Sequence, residues 1–389
     1  MAQTGFAMPR RHELDWLRVL LFALLVPHHV AVGFVDWGVD IYRFVNNRLA
    51  GDGMTLFIYW SHSWRLPSLF LIAGIGSWFL ARRGAGASFL GGRMGRLLVP
   101  ALFGTFALNV FGGYAIARMT GDPRGFAAFW RDWLTAPEPR QIQHLWFLVS
   151  LAVYTVLLWP LLALAPRLVR LSLRPPLLLG ALVAASALAV VVVKPHAAAL
   201  TGDGYQFPYY LTLFAGGILI GAQHGAVLDW TRARAWRLLA LAGLLFALKA
   251  GLLTRALLDD IPTGQALAAG GWVALGLQPD HATLFSALEA ATAWAWCLAA
   301  LGLAARYLSR PSALLAQLNR AVFPVYVLHF PVTLVGLALV AQIAWPWWAE
   351  FALLLVAVYA ATWALWRLAD RLGPAVWLIG GRPAPQAPR

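Results

Sequence analysis

The chain is 389 residues long, 61% hydrophobic and 12% charged, with 20 tryptophans and a formal net charge of +14. Soluble domains sit nearer about 45–50% apolar and about 25% charged, so this composition excludes an ordinary water-soluble fold and indicates a multi-pass membrane protein with aromatic belts. The single cysteine, Cys297, excludes an intramolecular disulfide framework and a cysteine metal cage. The basic residues are scattered, which argues against a nucleic-acid partner.

In chain order, apolar runs near bilayer length fall at 14–35, 55–80, 95–117, 143–165, 177–193, 207–222, 236–254, 283–305, 317–341 and 345–371. They predict an all-α polytopic protein of about ten transmembrane helices. Turn-rich stretches, TGDPRG (120–125), TGDGYQ (201–206) and LDDIPTG (258–264), separate several of them. The stretch 261–280 is apolar enough to be an eleventh span, but a crossing there inverts the charge bias that follows, so it is expected as an outer re-entrant or surface segment. Residues 10–373 are expected to form a single transmembrane domain, and 374–389 a disordered cytoplasmic tail. The first run follows an Arg pair, but Asp15, Arg18, His28 and His29 interrupt it and no small-residue cleavage site follows. It is read as a retained span and not as a signal peptide. No internal repeat is visible.

With a cytoplasmic N-terminus, nineteen of the 30 Lys and Arg fall in inside segments, while eleven of the 16 acidic residues fall outside. The positive-inside rule therefore places both termini in the cytoplasm.

Arg18 and His29 are eleven residues apart, and eleven helical steps return to within about 20° of the start, roughly 16 Å along the axis. Asp15 and His28 lie to one side of that line. A membrane helix with this stripe must turn it toward protein or water. Other spans carry His62 and Arg65, His144 and Trp146, Glu289, Tyr326 and His329, with Arg93 and Arg96 at the opposite end. Bland readings compete: Asp15–Arg18 as an interfacial ion pair, His144 and Trp146 as interfacial anchors, Arg96 as plain positive-inside bias, Lys249 as a snorkelling side chain. The polar groups alone leave open an enzyme and a proton-coupled transporter or exporter of a glycan or lipid-linked substrate.

The ordered set of fragments resembles the acyltransferase-3 family of integral membrane acyltransferases. It comprises Arg18-x10-His29 in the first span, SWRLPSLFLIAGIGS (63–77), RMGRLLVP (93–100), HLWFLVSLAVY (144–154) and FPVYVLH (323–329). LDWLR and HLWFL look most like the branch containing the glucan biosynthesis protein C type, which succinylates periplasmic glucans. One departure is Ala73, where many relatives carry Ser before Gly. The resemblance implies an acyl-CoA donor (succinyl-CoA or acetyl-CoA), a glycan hydroxyl as acceptor and a bacterial inner-membrane setting, with no permanently bound cofactor.

On that reading Arg18, Arg93 and Arg96 hold the donor's phosphates. The pantetheine arm runs along the first helix, and His29 acts as general base on the acceptor hydroxyl. Arg65 is expected to stabilise the oxyanion or orient the acceptor, and Glu289 to orient a histidine or balance Arg65. His62, His144, Trp146, Tyr326 and His329 are candidates for substrate binding, with Asp15 and His28 supporting the first helix's stripe. The histidines show no metal-ligand spacing with carboxylates. A homo-oligomer stays open, as does a covalent acyl-histidine.

Overall fold

The computed structural model describes residues 10–43, 46, 48–136, 138–164, 173–200, 206–258 and 279–382. Among these every regular element is helical. The first span is two helices, α1 (His12–Ala23) and α2 (Leu25–Val32), meeting at Leu24. Pro27 has no N–H, so the Ala23 carbonyl one turn earlier loses its helical partner. Tyr359 donates its hydroxyl to that carbonyl at 2.6 Å, which satisfies it inside the apolar layer.

After the short α3 (Gly38–Tyr42), α4 (Asp52–Ala81) runs back across the molecule. It continues into α5 (Ala87–Phe103), a single π turn (Gly104–Leu108), α6 (Asn109–Met119) and the short α7 (Phe126–Thr135). A 3-10 stretch (Pro139–Leu145) leads into α8 (Trp146–Leu157) and α9 (Trp159–Ala163). The second half comprises α10 (Pro175–Leu200), α11 (Gln206–Ala222), α12 (His224–Leu258), α13 (Pro279–Tyr307), α14 (Ala313–Val340) and α15 (Trp347–Arg371).

Helix α11 packs closely along α4. The reason is glycine: a Cβ on Gly217 would lie 2.9 Å from the Gly74 Cα and strike the Leu71 carbonyl, and one on Gly221 would lie 2.8 Å from the Trp78 side chain. Small residues four apart let two helix backbones meet in a membrane, where lipid provides no hydrophobic drive between helices. Gly217→Val is therefore expected to destabilise the protein by about 1–3 kcal/mol, because the obstacle is backbone and cannot swing away. Thermal melting in detergent reads this as a lowered midpoint; an unchanged midpoint would show that the crossing relaxes freely.

Among the described residues seven helices are long and apolar enough to cross a membrane, or eight if a bent pair counts as one span. They match seven of the ten expected runs. The runs at 207–222 and 236–254 fall in α11 and α12, which meet at 102°, and the run at 143–165 becomes the shorter apolar helix Gln141–Leu157, interrupted before α9. Pro160 lies at the start of α9, where a missing N–H is tolerated and a continuous helix is not. The 261–280 segment lies almost wholly outside the described residues. One expectation is corrected at the C-terminus: Gly373–Ile379 form a 3-10 turn with Val376 and Ile379 buried, packed on α5, in place of a disordered tail. Apolar side chains in a sequence rich in Gly and Pro are enough to dock it; 383–389 lie outside the described residues.

Two apolar clusters fill the interior. One gathers Leu14–Leu25 of the first span with Leu66–Trp78 and Val322–Leu328; the other gathers Val26–Val35 with Phe330, Leu334 and Leu337. The histidines of the first span and of α14 sit at the seam between them.

Candidate active site

A cavity of about 960 Å³ enters the bundle at the end formed by α3 and α7 and reaches this seam. Its floor carries His28, His29, Arg65, His144, Trp146 and Tyr326. Three features of backbone chemistry position these groups. Pro27 follows the break at Leu24 and precedes the adjacent histidines, while Pro67, two residues after Arg65, and Pro331, two after His329, sit inside continuous helices. Each frees a carbonyl and loosens one turn, which lets polar side chains find partners where a regular helix offers none.

The imidazoles form a directed chain. His329 is buried, and its Nδ1 lies 2.6 Å from the Tyr326 carbonyl, which can only accept. Nδ1 therefore carries the proton, and in the neutral ring Nε2 is an acceptor. The His29 Nδ1 lies 2.9 Å from that Nε2 and must donate to it. The His29 Nε2 is left with its lone pair. His144 repeats the logic: its Nε2 donates to the Tyr326 carbonyl at 3.0 Å, Tyr326 donates its hydroxyl to the His144 carbonyl at 2.6 Å, and the His144 Nδ1 is buried without a partner. His28 stands outside this chain and bonds to α4. Ser61 gives its proton to the Ile58 carbonyl and so accepts from the His28 Nδ1 at 2.7 Å, while the exposed His62 stacks on the His28 ring. Both ring nitrogens of His329 are thus used, and no three His, Cys, Asp or Glu among the described residues are grouped to hold a metal ion.

Arg65 is 3% exposed, and its Nε and Nη1 have no hydrogen-bond partner. Its charge acts on His28, His29 and His329. A buried guanidinium with idle donors is costly to maintain, and such groups concentrate where an anion or a developing negative charge must be met.

At the opposite end of the first span, Arg18 pairs with Asp15 at 3.2 Å and donates to Asn319 of α14. Arg93 donates to Thr155 at 3.0 Å, and Arg96 lies over the Phe323 ring and within the fields of Arg18 and Arg382. The four arginines form one basic cluster. Arg382 and Asn319 were not singled out from sequence; Arg382 is one more basic residue near a terminus until the 3-10 turn folds it back.

Three expectations need correction. Arg18 and His29 share a helix face but not one open corridor: Phe22 lies between them, edge-on to Tyr326 at 5.2 Å, and the cavity ends at Leu25 and Tyr326. An apolar plug thus divides the basic cluster from the imidazoles. Glu289 does not line the cavity; its charge acts on Tyr59 and Tyr209. Tyr59 lies about 120° round α4 from Arg65. Lys249 does not snorkel either. It is buried, with its ammonium 4.7 Å from the Tyr59 ring centre.

The mouth is held by an ion-pair brace. Arg124 spans Asp122 (2.5 Å) and Asp132 (2.9 Å), and its guanidinium holds the Asp122 carboxyl down to about 2. A depressed carboxyl contributes fully above its unfolded value near about 4 and loses its contribution as pH falls toward about 2. The mouth is therefore expected to keep its shape from pH 5 to 8; proteolysis of the 120–125 loop should show equal rates at both ends of that range, and faster cutting at pH 5 would contradict the brace.

A multi-pass helical membrane protein with an idle imidazole nitrogen and a buried guanidinium at the floor of an open cavity carries groups that serve group transfer and transport alike. Residues 11–367 match the acyltransferase-3 family model, described as an acyltransferase domain. The chain belongs to that family and is a membrane acyltransferase. Comparison with curated proteins and with solved structures finds no match.

Proposed function

We propose that this acyltransferase moves a small acyl group, succinyl or acetyl, from cytoplasmic acyl-CoA to a hydroxyl of an extracytoplasmic glycan such as a periplasmic glucan. The charge bias of the loops supports cytoplasmic termini, the apolar runs support up to ten crossings, and the family resemblance supports residence in a bacterial inner membrane. The basic cluster then faces the cytoplasm and the cavity mouth faces outward. The observation that carries the reading is the free lone pair of the His29 Nε2 at the floor of a cavity open to the acceptor side.

The acceptor hydroxyl gives its proton to the His29 Nε2 as its oxygen bonds to the thioester carbon. Arg65 meets the charge that develops on the carbonyl oxygen. The C–S bond breaks, the His29 imidazolium returns its proton to the departing sulfur, and an ester and a free CoA thiol result. His329 accepts the His29 Nδ1–H throughout and stabilises the imidazolium, so its role is to position His29 and not to bind substrate. Arg18, Arg93, Arg96 and Arg382 hold the phosphates of the donor. Because Phe22 and Tyr326 close the route, the pantetheine arm reaches His29 only when that pair parts.

Proteoliposomes given labelled acyl-CoA inside and a neutral glucan outside test this directly. CoA release that requires acceptor and leaves the label on the glucan is expected; acceptor movement without thioester cleavage would overturn the reading. The plug has its own test. Phe22→Leu, a swap that costs about 1 kcal/mol of packing, is expected to raise acceptor-independent CoA release several-fold. An unaltered release rate with an unaltered donor KM would place the arm elsewhere.

A further inference from the structure

Between the mouth and the imidazoles the 3-10 stretch breaks at Gln143, whose φ of 46° and ψ of −132° lie in a region that L-residues rarely adopt. The break is imposed from outside. The fully buried Asn109, just after the π turn, donates through Nδ2 to the Gln141 and Ile142 carbonyls at 2.9 and 3.2 Å. The Gln141 Nε2 donates to the Trp133 carbonyl at 3.2 Å, and the Trp133 indole donates to the Thr105 carbonyl in the π turn at 2.9 Å. Backbone strain held this firmly is kept for a purpose local to the site.

Its effect is to point polar atoms inward. Gln141, Gln143 and His144 all line the cavity, and the Gln141 Oε1, Gln143 Oε1 and His144 Nδ1 are buried with no hydrogen-bond partner. The idle Arg65 donors face the same space. Three acceptors and a donor around one cavity are a poor match for an aliphatic chain, which would leave all of them unsatisfied. They match a ligand that carries several hydroxyls, each able to donate and accept. Above them the wall adds the Trp133 and Phe129 rings, and its charges nearly balance: Asp40, Asp122, Asp132 and Glu138 face Arg43, Arg65 and Arg124. Discrimination falls to the three acceptors at the collar: an ionised carboxylate can only accept and leaves them unmatched, whereas a hydroxyl donates to them, so a neutral polyol is favoured.

We propose that Gln141 and Gln143 form a hydroxyl-reading collar that selects a neutral sugar over an acidic one and orients the attacking hydroxyl at His29. Gln143 is the specificity-determining member, and Asn109 positions it. The inference rests on the acyl-transfer reading for the identity of the attacking group, but the binding it describes is measurable without turnover.

The test uses the full chain in nanodiscs, with titration calorimetry against a β-linked gluco-hexaose and a hexauronate of equal length. Gln143→Gly removes the amide while relieving the strain, since glycine adopts positive φ freely, so loss of fold does not confound it. Hexaose affinity is expected to fall at least tenfold in Gln143→Gly and to recover in part in Gln143→Asn, with acyl-CoA affinity and melting midpoint held or raised. Wild type is expected to bind the hexauronate at least tenfold more weakly than the hexaose. Equal hexaose binding by wild type and Gln143→Gly, absence of hexaose binding by wild type, or tighter hexauronate binding would each overturn the collar. A parallel transfer assay separates the two ideas: hexaose binding without acyl transfer sinks the reaction and keeps the collar, whereas transfer indifferent to Gln143 does the reverse.

Discussion

His29→Ala is expected to lower acyl transfer by about 10²–10⁴-fold, the range a positioned general base contributes, while donor affinity stays within twofold. The expectation follows from the tautomer chain. Tyr326 offers only a carbonyl to His329, His329 offers only a lone pair to His29, and the remaining lone pair of His29 meets the cavity. His329→Ala removes the acceptor of the Nδ1–H and is expected to cost about 10–100-fold, a figure of the size seen when a partner that fixes a histidine's tautomer is lost. His329→Gln, which keeps an acceptor, should recover part of it and shift the acidic limb of the pH–rate profile. Full activity in a correctly inserted His29→Ala protein removes the assignment; equal loss in His329→Ala and His329→Gln would make His329 a packing residue only.

Arg65→Met is expected to separate activity from stability. Transfer should fall by about 10²–10³-fold, as when one oxyanion donor is removed, while the melting midpoint rises. The rise follows from burial: the guanidinium is 3% exposed with two nitrogens unpartnered. A buried polar group left unmade costs about 1–3 kcal/mol, and an apolar side chain of similar length removes that cost. A destabilised site residue kept in place is the usual stability–activity trade. Loss of both activity and stability would make Arg65 a structural ion; unchanged activity would take it out of the reaction.

The first helix shows how far periodicity reaches. Arg18 and His29 on one face, with the arginines and the imidazoles at opposite ends of the first span, follow from 3.6 residues per turn and from apolar run lengths. Phe22 lies on that same stretch and was invisible as a plug, because its partner Tyr326 belongs to α14 and only packing brings the two rings together. Glu289 shows the converse. Its place on an apolar helix was legible, but its rotation about α13 was not, and its charge acts on Tyr59 and Tyr209 and not on the cavity. The Gly74–Gly217 crossing likewise needed two helices to be seen together, although the GGILIG spacing of α11 already contained half of it.

Composition and run length alone determined that this is a helical membrane protein, because hydropathy is a property of the chain taken in one dimension, and the ordered fragments carried the resemblance to the acyltransferase family that the family match over residues 11–367 shows. Tertiary structure decided which side chains are idle and which are engaged. The direction of the histidine protons, the closure at Phe22 and the left-handed Gln143 all depend on partners far away in sequence, and hydrogen bonds and strain are set by distances that no local pattern encodes.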